Sequence, residues 1–375
     1  MKVRRPSHWE EEVLYTTGDE YFAAVLAAIG RAQSTIELES YIFEKGILAD
    51  RMVAHLIAAA ARKVRVRLIV DGWGSPGFAW DYWPQLKAAG VRVRFFRVSP
   101  WVLRRLPGDP HSFWMRMIAR FRKVNRGNHR KFCLIDHTDL FVGSFNVSDV
   151  HLAEVSGDRV WKDVGVRVRG SEVKYARRAF QRAYVGWRAF AIPRRSSRLL
   201  LLNDTFLHKR RARLEQISKI RRAHKRIWLA TPYFVPIGKL LRLLSRQARR
   251  ARDVRLMIPR KNDVWFMKWI SLPILGSLVT RGVKIYIYSP GFSHQKVFIA
   301  DDWMCIGSTN LNHRSFLHDL EMDVVITHEA NKLRITQSFV NDQALSHVFE
   351  AGEWTHLPLW KRLFSSIFLM GKYWS

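Results

Sequence analysis

At 375 residues the chain is too long for one ordinary core and long enough for two domains. Hydrophobic residues at 48% and charged residues at 25% exclude a disordered polymer. With 63 Lys and Arg against 32 Asp and Glu, the net charge of +31 favours a polyanionic partner, either nucleic acid or an anionic membrane surface.

The N-terminal run MKVRRPSHWEEEVLY starts basic but lacks the apolar core of a signal peptide. A helical stretch ending AAIGRAQST then leads into a strand at Ile36–Phe43, IELESYIF. A helix at Met52–Arg62 and a buried strand at Val66–Val70 follow. Another helix ends in AAG before the alternating strand Val91–Phe96. Residues Trp101–Arg126 interleave Trp101, Phe113, Trp114 and other apolar residues with Arg116, Arg120 and further cations. Such a basic aromatic segment is expected to lie in a headgroup plane, where each cation near an anionic leaflet contributes about 1 kcal/mol. The string His-x-Lys-x4-Asp comes next, as His129, Lys131 and Asp136, followed by Gly143, Ser144 and Asn146.

Past AIPRRSSR, a boundary near residues 190–206, the pattern restarts. ISKIRRAHKR precedes a strand at Ile227–Phe234; a helix at Lys239–Ala251 leads to strands at Val254–Ile258 and Val283–Tyr288. Between those strands Val264–Thr280, with Trp265 and Trp269, is a second candidate for membrane contact, and the C-terminal run Trp360–Trp374 is a third. His294, Lys296 and Asp301 then repeat the string, with Gly307, Ser308 and Asn310 behind it. Six fixed residue types match by chance about once in 10^7 to 10^8 positions, so two copies are a duplication. Strands alternating with helices in both halves predict two similar α/β domains, residues 1–195 and 196–375, each a mixed sheet flanked by helices and related by a pseudo-twofold axis. The two His-Lys-Asn sets then meet in one cleft.

Phosphodiester exchange needs a nucleophile, neutralisation of the phosphoryl oxygens, an acid for the leaving oxygen and in-line geometry. Two imidazoles can serve as nucleophile and acid. Lys131 and Lys296 can neutralise the oxygens, Asn146 and Asn310 can donate amide hydrogen bonds, and Ser144 and Ser308 can add hydroxyls. Side chains at i and i+2 share a strand face, so His and Lys both reach the cleft. By the same parity Asp136 and Asp301 point away and suit structural salt bridges, although they complete the catalytic motif. Each imidazole also needs a carboxylate on its other nitrogen. Glu321 is the candidate for His294, and Asp163 for His129. His111, His137, His151, His313 and His318 have no partner at ligand spacing and receive no chemistry. Cys133 and Cys305, two in all, make neither a disulfide framework nor a zinc site and are expected as buried hydrophobes. The basic runs His208–Arg213 and Arg221–Arg226 read as solvated helix faces.

By the duplicated motif the chain resembles the phospholipase D superfamily, over roughly residues 15 to 330. The runs GDEYFAAVLAAIGRAQSTIELESYIF, RLIVDGWGSPG, NHRKFCLID and GSTNLNHRSFLHDLE look like the bacterial cardiolipin synthases of the short type, without N-terminal transmembrane helices. The resemblance implies a covalent phosphohistidine, with His129 as nucleophile and His294 as general acid and base. It also implies transfer of a phosphatidyl group from one phosphatidylglycerol to another with release of glycerol, and no metal or other cofactor. Two departures stand out: GSFNVSDVHL, where many such synthases have Gly-Gly-x-Asn followed by Tyr, and Lys63, where Gly is usual. The expected partner is an anionic phospholipid surface, touched but not crossed, from the cytoplasmic side of the bacterial inner membrane. A hydrolase of phospholipase D type, a DNA endonuclease of the superfamily, or a silent membrane- or nucleic-acid-binding scaffold are the competing functions. Apolar residues at the cleft mouth favour lipid, and a continuous basic groove favours DNA.

Overall fold

The computed structural model describes residues 8–97, 126–186, 196–264 and 267–358, together with 360 and 365. Seven strands of the first half form one sheet: β1 (Glu11–Tyr15), β2 (Thr35–Ser40), β3 (Arg65–Val70), β4 (Arg92–Phe95), β5 (Phe132–Ile135), β6 (Asp139–Gly143) and β7 (Gly165–Arg169). Their order is β1-β7-β6-β5-β2-β3-β4. β2, β3 and β4 pair in parallel and the rest antiparallel, so the sheet is mixed. Helices α1 (Gly18–Arg31), α2 (Ile47–Ala61) and α3 (Val173–Val185) flank it.

The second half builds an eight-stranded sheet from β8 (Leu200–Leu202), β9 (Arg226–Ala230), β11 (Asp253–Pro259), β12 (Lys284–Tyr288), β13 (Val297–Ala300), β14 (Trp303–Gly307), β16 (Met322–Ile326) and β17 (Ser346–Phe349). Its order, β17-β12-β11-β9-β13-β14-β16-β8, matches the first sheet strand for strand when read from the other end, with β17 added at one edge. A short pair, β10 (Phe234–Val235) with β15 (Leu311–Asn312), lies outside it. Helices α4 (Phe206–Arg222), α5 (Gly238–Arg249), α6 (Met267–Val279) and α7 (Glu329–Ala344) complete this half.

The expected strands end earlier than the apolar runs do. Ile36–Phe43 stays in the sheet only to Ser40; Tyr41 and Ile42 leave it to line a cleft, and Phe43 makes a lone bridge to Val147. Ile227–Phe234 likewise breaks into β9 and β10 around Pro232, which has no N–H for a ladder.

The two sheets share one core. Leu134, Val142, Val166 and Val168 from the first pack in the same buried cluster as Leu200, Met304, Ile306 and Val324 from the second. Each such side chain contributes about 1.5–3 kcal/mol on burial, so the halves hold each other in fixed register. Cys133 and Cys305 are buried free thiols within these strands. Most of the basic residues of α4 face solvent, but His208 turns inward, with Nδ1 2.6 Å from Asp204.

The segment Val264–Thr280, expected as a candidate for membrane contact, turns much of its apolar surface inward. Met267, Ile270, Ile274, Leu275 and Leu278 of α6 are all buried in the core, and the half-buried Trp269 lines an open pocket of about 510 Å³. Trp265 lies outside the described residues, as do Trp101, Phe113, Trp114, Arg116 and Arg120 and nearly all of the C-terminal run. Among the described residues, no helix is long and apolar enough to cross a membrane.

Candidate active site

Each histidine stands on an extended segment just ahead of a strand, His129 before β5 and His294 before β13. The residue between His and Lys points the opposite way and anchors the segment. Arg130 pairs with both oxygens of Glu39 at 2.8 Å, and the Gln295 amide donates to Asp342 at 2.9 Å. His and Lys are thereby committed to the other face.

A second strand-like contact runs beside each histidine, and it comes from the opposite half. The His129 N–H donates to the Leu320 carbonyl at 3.0 Å, while Leu320 N–H donates to Gly127 at 2.8 Å. Symmetrically, His294 N–H donates to Lys162 at 2.8 Å and Lys162 N–H to Phe292 at 2.9 Å. The carboxylates that follow Leu320 and Lys162 in sequence therefore reach the other repeat's imidazole. His129 Nδ1 lies 3.1 Å from both oxygens of Glu321, and His294 Nδ1 lies 3.2 Å from Asp163. This corrects the expected pairing within each half: Glu321 serves His129 and Asp163 serves His294.

The glycine and serine of each motif make this exchange possible. A Cβ on Gly143 would sit 2.6 Å from the Val164 carbonyl, and one on Gly307 would sit 2.4 Å from that of Met322. Only glycine permits that approach. Ser144 then both donates to and accepts from the Val164 backbone at 3.2 Å, and Ser308 does the same with Met322, at 3.3 and 3.0 Å. Val164 and Met322 directly follow the two carboxylates. The serine hydroxyls thus clamp the carboxylate strands and do not line the cleft, where the sequence had placed them as phosphate contacts.

His129, Asn146, His294 and Asn310 share the wall of one cavity of about 480 Å³. Asn146 Oδ1 accepts the Ile42 N–H at 3.3 Å, which turns its amino group toward the opening. Lys131 and Lys296 approach from beneath, each donating to its own histidine's carbonyl, at 2.7 and 2.6 Å. Lys296 Nζ also lies 2.8 Å from His294 Nε2. Among the described residues, Tyr41, Ile42, Trp73, Trp161, Tyr233 and Met267 give the lining a large aromatic and apolar share, beside Asp263, Asn312 and Asp319. Among the described residues, its two arginines are paired, Arg97 with Asp71 at 2.9 Å and Arg314 with Asp319 at 2.8 Å.

Burial dominates the electrostatics. It holds His129 well below the usual imidazole value, aided by Lys131 and Lys296, and lowers His294 less, because Asp163 opposes the shift. Burial, with Lys296, brings Lys131 to about 7, and burial brings Lys296 to about 8. Glu321 is pushed up to about 7 by burial, against the pull of Lys131. Burial pushes Asp163 up as well, but the charge and hydrogen bond of His294, then His151 and Lys296, outweigh it and keep the carboxyl below its ordinary range. The two imidazoles therefore have unequal backing: one firm anion behind His294, one titrating carboxyl behind His129.

Asp136 and Asp301 do not line the cavity and, among the described residues, form no salt bridge. Both sit in the left-handed region, at φ 48° and 52°, at the hairpin tips after β5 and β13. Asp136 accepts from the backbone N–H groups of Gln33, Ser34 and Thr35 at 2.7–2.9 Å. Asp301 accepts from those of His224, Lys225 and Arg226 at 2.8–3.0 Å. Each caps the start of the neighbouring strand, β2 or β9. Burial raises their carboxyls and these hydrogen bonds lower them further, for a net depression. Parity pointed them out of the cleft, and the partner proved to be backbone rather than a cation.

Sequence reasoning missed two residues behind the carboxylates, His151 and Ser315. A signal was present: both lie five positions beyond the motif asparagine, Asn146 in one copy and Asn310 in the other.

Two interlocked mixed sheets with paired His-Lys-Asn sets facing one cavity are the phospholipase D fold. The chain belongs to the family described as cardiolipin synthase, PLD-like domain, which matches residues 25–182 and 216–343. Among relatives, it is 28% identical over 94% of its length to the major cardiolipin synthase ClsA of Bacillus subtilis (strain 168), covering 73% of that protein. It is 29% identical over 88% of its length to a cardiolipin synthase of Clostridium perfringens (strain SM101 / Type A), covering 69% of it. The crystal structure of phosphatidylserine synthase from Haemophilus influenzae Rd KW20 shares the fold at a TM-score of 0.70 and 11% identity, over 97% of this chain and 95% of that one.

Proposed function

We propose that this chain is a phosphatidyltransferase that makes cardiolipin from two phosphatidylglycerol molecules through a phosphohistidine on His129. The single observation that carries the reading is the pair of imidazoles on one cavity wall, each held at Nδ1 by a carboxylate of the other half. Nε2 of His129 attacks phosphorus, the bond to the terminal glycerol breaks, and His294 gives its Nε2 proton to the departing oxygen. Free glycerol leaves. The terminal hydroxyl of a second phosphatidylglycerol then yields its proton to His294 and attacks the same phosphorus, and the P–N bond breaks to restore neutral His129.

The unequal backing of the two rings supports this order. A neutral, strongly depressed His129 is the better nucleophile, while the Asp163 anion favours a proton on His294 against burial and the Lys296 charge. Lys131, Lys296, Asn146 and Asn310 would stabilise the phosphoryl oxygens. Among the described residues, an aromatic and apolar lining whose arginines are already paired supports a lipid rather than a DNA groove. We further place the protein at the cytoplasmic leaflet of the bacterial inner membrane, held peripherally through its net charge of +31. Residues 1–195 and 196–375 are taken as its two domains.

The test is purified protein with phosphatidylglycerol vesicles and a chelator, read for cardiolipin by mass spectrometry. His129→Ala should abolish product and His294→Ala should reduce it by orders of magnitude. Nicking of plasmid DNA without cardiolipin would favour the nuclease, and free phosphatidic acid alone the hydrolase.

A further inference from the structure

Behind each catalytic carboxylate lies one more polar group, and the two halves use different chemistry there. On the His129 side, Ser315 Oγ accepts the Asn310 N–H at 3.3 Å and donates to Glu321 at 2.6 Å. On the His294 side the same structural position holds His151. Its Nε2 accepts the Asn146 N–H at 3.2 Å, and its Nδ1 faces Asp163 Oδ2 at 3.4 Å. An Nε2 that accepts leaves the proton on Nδ1, a buried atom without a hydrogen-bond partner among the described residues that stands 3.4 Å from the carboxylate oxygen that also meets His294 and acts on it through charge. His151 is wholly buried in a cage of Phe22, Phe145 and Trp161, with ring centroids at 6.4, 5.3 and 5.8 Å.

The loop that carries it is built rather than loose. Asp149 accepts from the first two N–H groups of α2, at 2.9 and 2.8 Å, and Asp19 accepts from Ala153 at 3.1 Å. Gly18, at the start of α1, lies so close to the His151 carbonyl that a Cβ there would sit 2.1 Å from it. The imidazole therefore has one available placement.

We infer that His151 is a positioning residue for the proton-transfer half of the site: it fixes Asp163 so that His294 keeps the tautomer and orientation needed to protonate the leaving glycerol. The chain Asn146 N–H, His151, Asp163, His294 then runs from a cleft asparagine to the acid, while the nucleophile's carboxylate is served by a hydroxyl. This rests on the assignment of His294 as acid. An acid matters only when the leaving group is poor, because a phenolate such as p-nitrophenolate departs unaided. His151 is thus expected to affect one donor and not another.

The experiment compares phosphatidylglycerol with phosphatidyl-p-nitrophenol in full-length protein bearing His151→Phe, which fills the aromatic cage without polar atoms. His151→Gln retains an acceptor and a donor on one amide. The expected result is a p-nitrophenol burst within about twofold of the parent in His151→Phe. With phosphatidylglycerol, kcat should fall about ten- to a hundredfold, as for other partners that orient a working imidazole, with little change in KM. His151→Gln should recover most of the loss. Equal slowing of both donors would show a merely structural role and overturn the inference, as would no slowing of either. His294→Ala is run beside them. If it too loses the nitrophenol burst, the acid assignment itself falls. If it keeps the burst while His151→Phe loses it, only the role of His151 falls.

Discussion

Glu321→Gln probes the exchange of carboxylates between halves most directly. The substitution keeps shape and removes one charge 3.1 Å from His129 Nδ1. Coulomb's law at that distance and an effective dielectric of about 20 gives about 5 kcal/mol, a ceiling of nearly 10^4 in rate. The true loss should be smaller, because Nδ1 is also 3.1 Å from the Ser308 carbonyl. That acceptor preserves the tautomer after the charge is gone. What remains is one charge-assisted hydrogen bond, about 1.5–3 kcal/mol, or roughly ten- to 150-fold. The assay is the single-turnover burst from phosphatidyl-p-nitrophenol at pH 8, where Glu321 is mostly ionised and no acid is required. Glu321→Gln should slow the burst by that factor, and Asp163→Asn should leave it nearly unchanged while depressing glycerol release from phosphatidylglycerol. A slowed burst in Asp163→Asn with a normal one in Glu321→Gln would refute the crossed wiring.

Because the Glu321 carboxyl is raised to about 7, its anion forms only as pH climbs through that value, so kcat/KM should rise there and Glu321→Gln should erase that limb in a pH–rate profile. The alkaline fall set by Lys131 at about 7 and Lys296 at about 8 should survive in both proteins. Asp136→Asn and Asp301→Asn should each cost about 2 kcal/mol through loss of charged capping bonds, read as a lower Tm. With depressed carboxyls, that stability is present above about pH 4 and fades as pH falls below it, so an unchanged acid denaturation curve would contradict the capping role. Lys63 holds φ at 67° just past the end of α2, so Lys63→Gly should raise stability by about 0.5–1 kcal/mol in urea unfolding.

The repeat, the succession of its strands and helices along the chain and the two His-Lys-Asn sets can be read from the chain because each depends on local spacing. Alternation places His129 and Lys131 together, and the same parity turns Asp136 outward. The need for a carboxylate behind each imidazole follows from chemistry alone, but its identity does not. It depends on two single-residue bridges, Asn128 with Leu320 and Lys162 with Ser293, that join segments more than a hundred residues apart. No local pattern encodes them. Ser144 and Ser308 mislead for a related reason: a hydroxyl beside a motif reads as a ligand until the strand it fastens is known. Val264–Thr280 is ambiguous in sequence because a helix apolar on most sides looks the same whether it meets lipid or the interior of its own fold.

Since each imidazole draws its carboxylate from the far half, parting the sheets by a few ångströms would disarm both rings in one motion. Because the two sheets share one buried core, neither half can arm an imidazole by itself, and the reactive pair exists only where both are folded together.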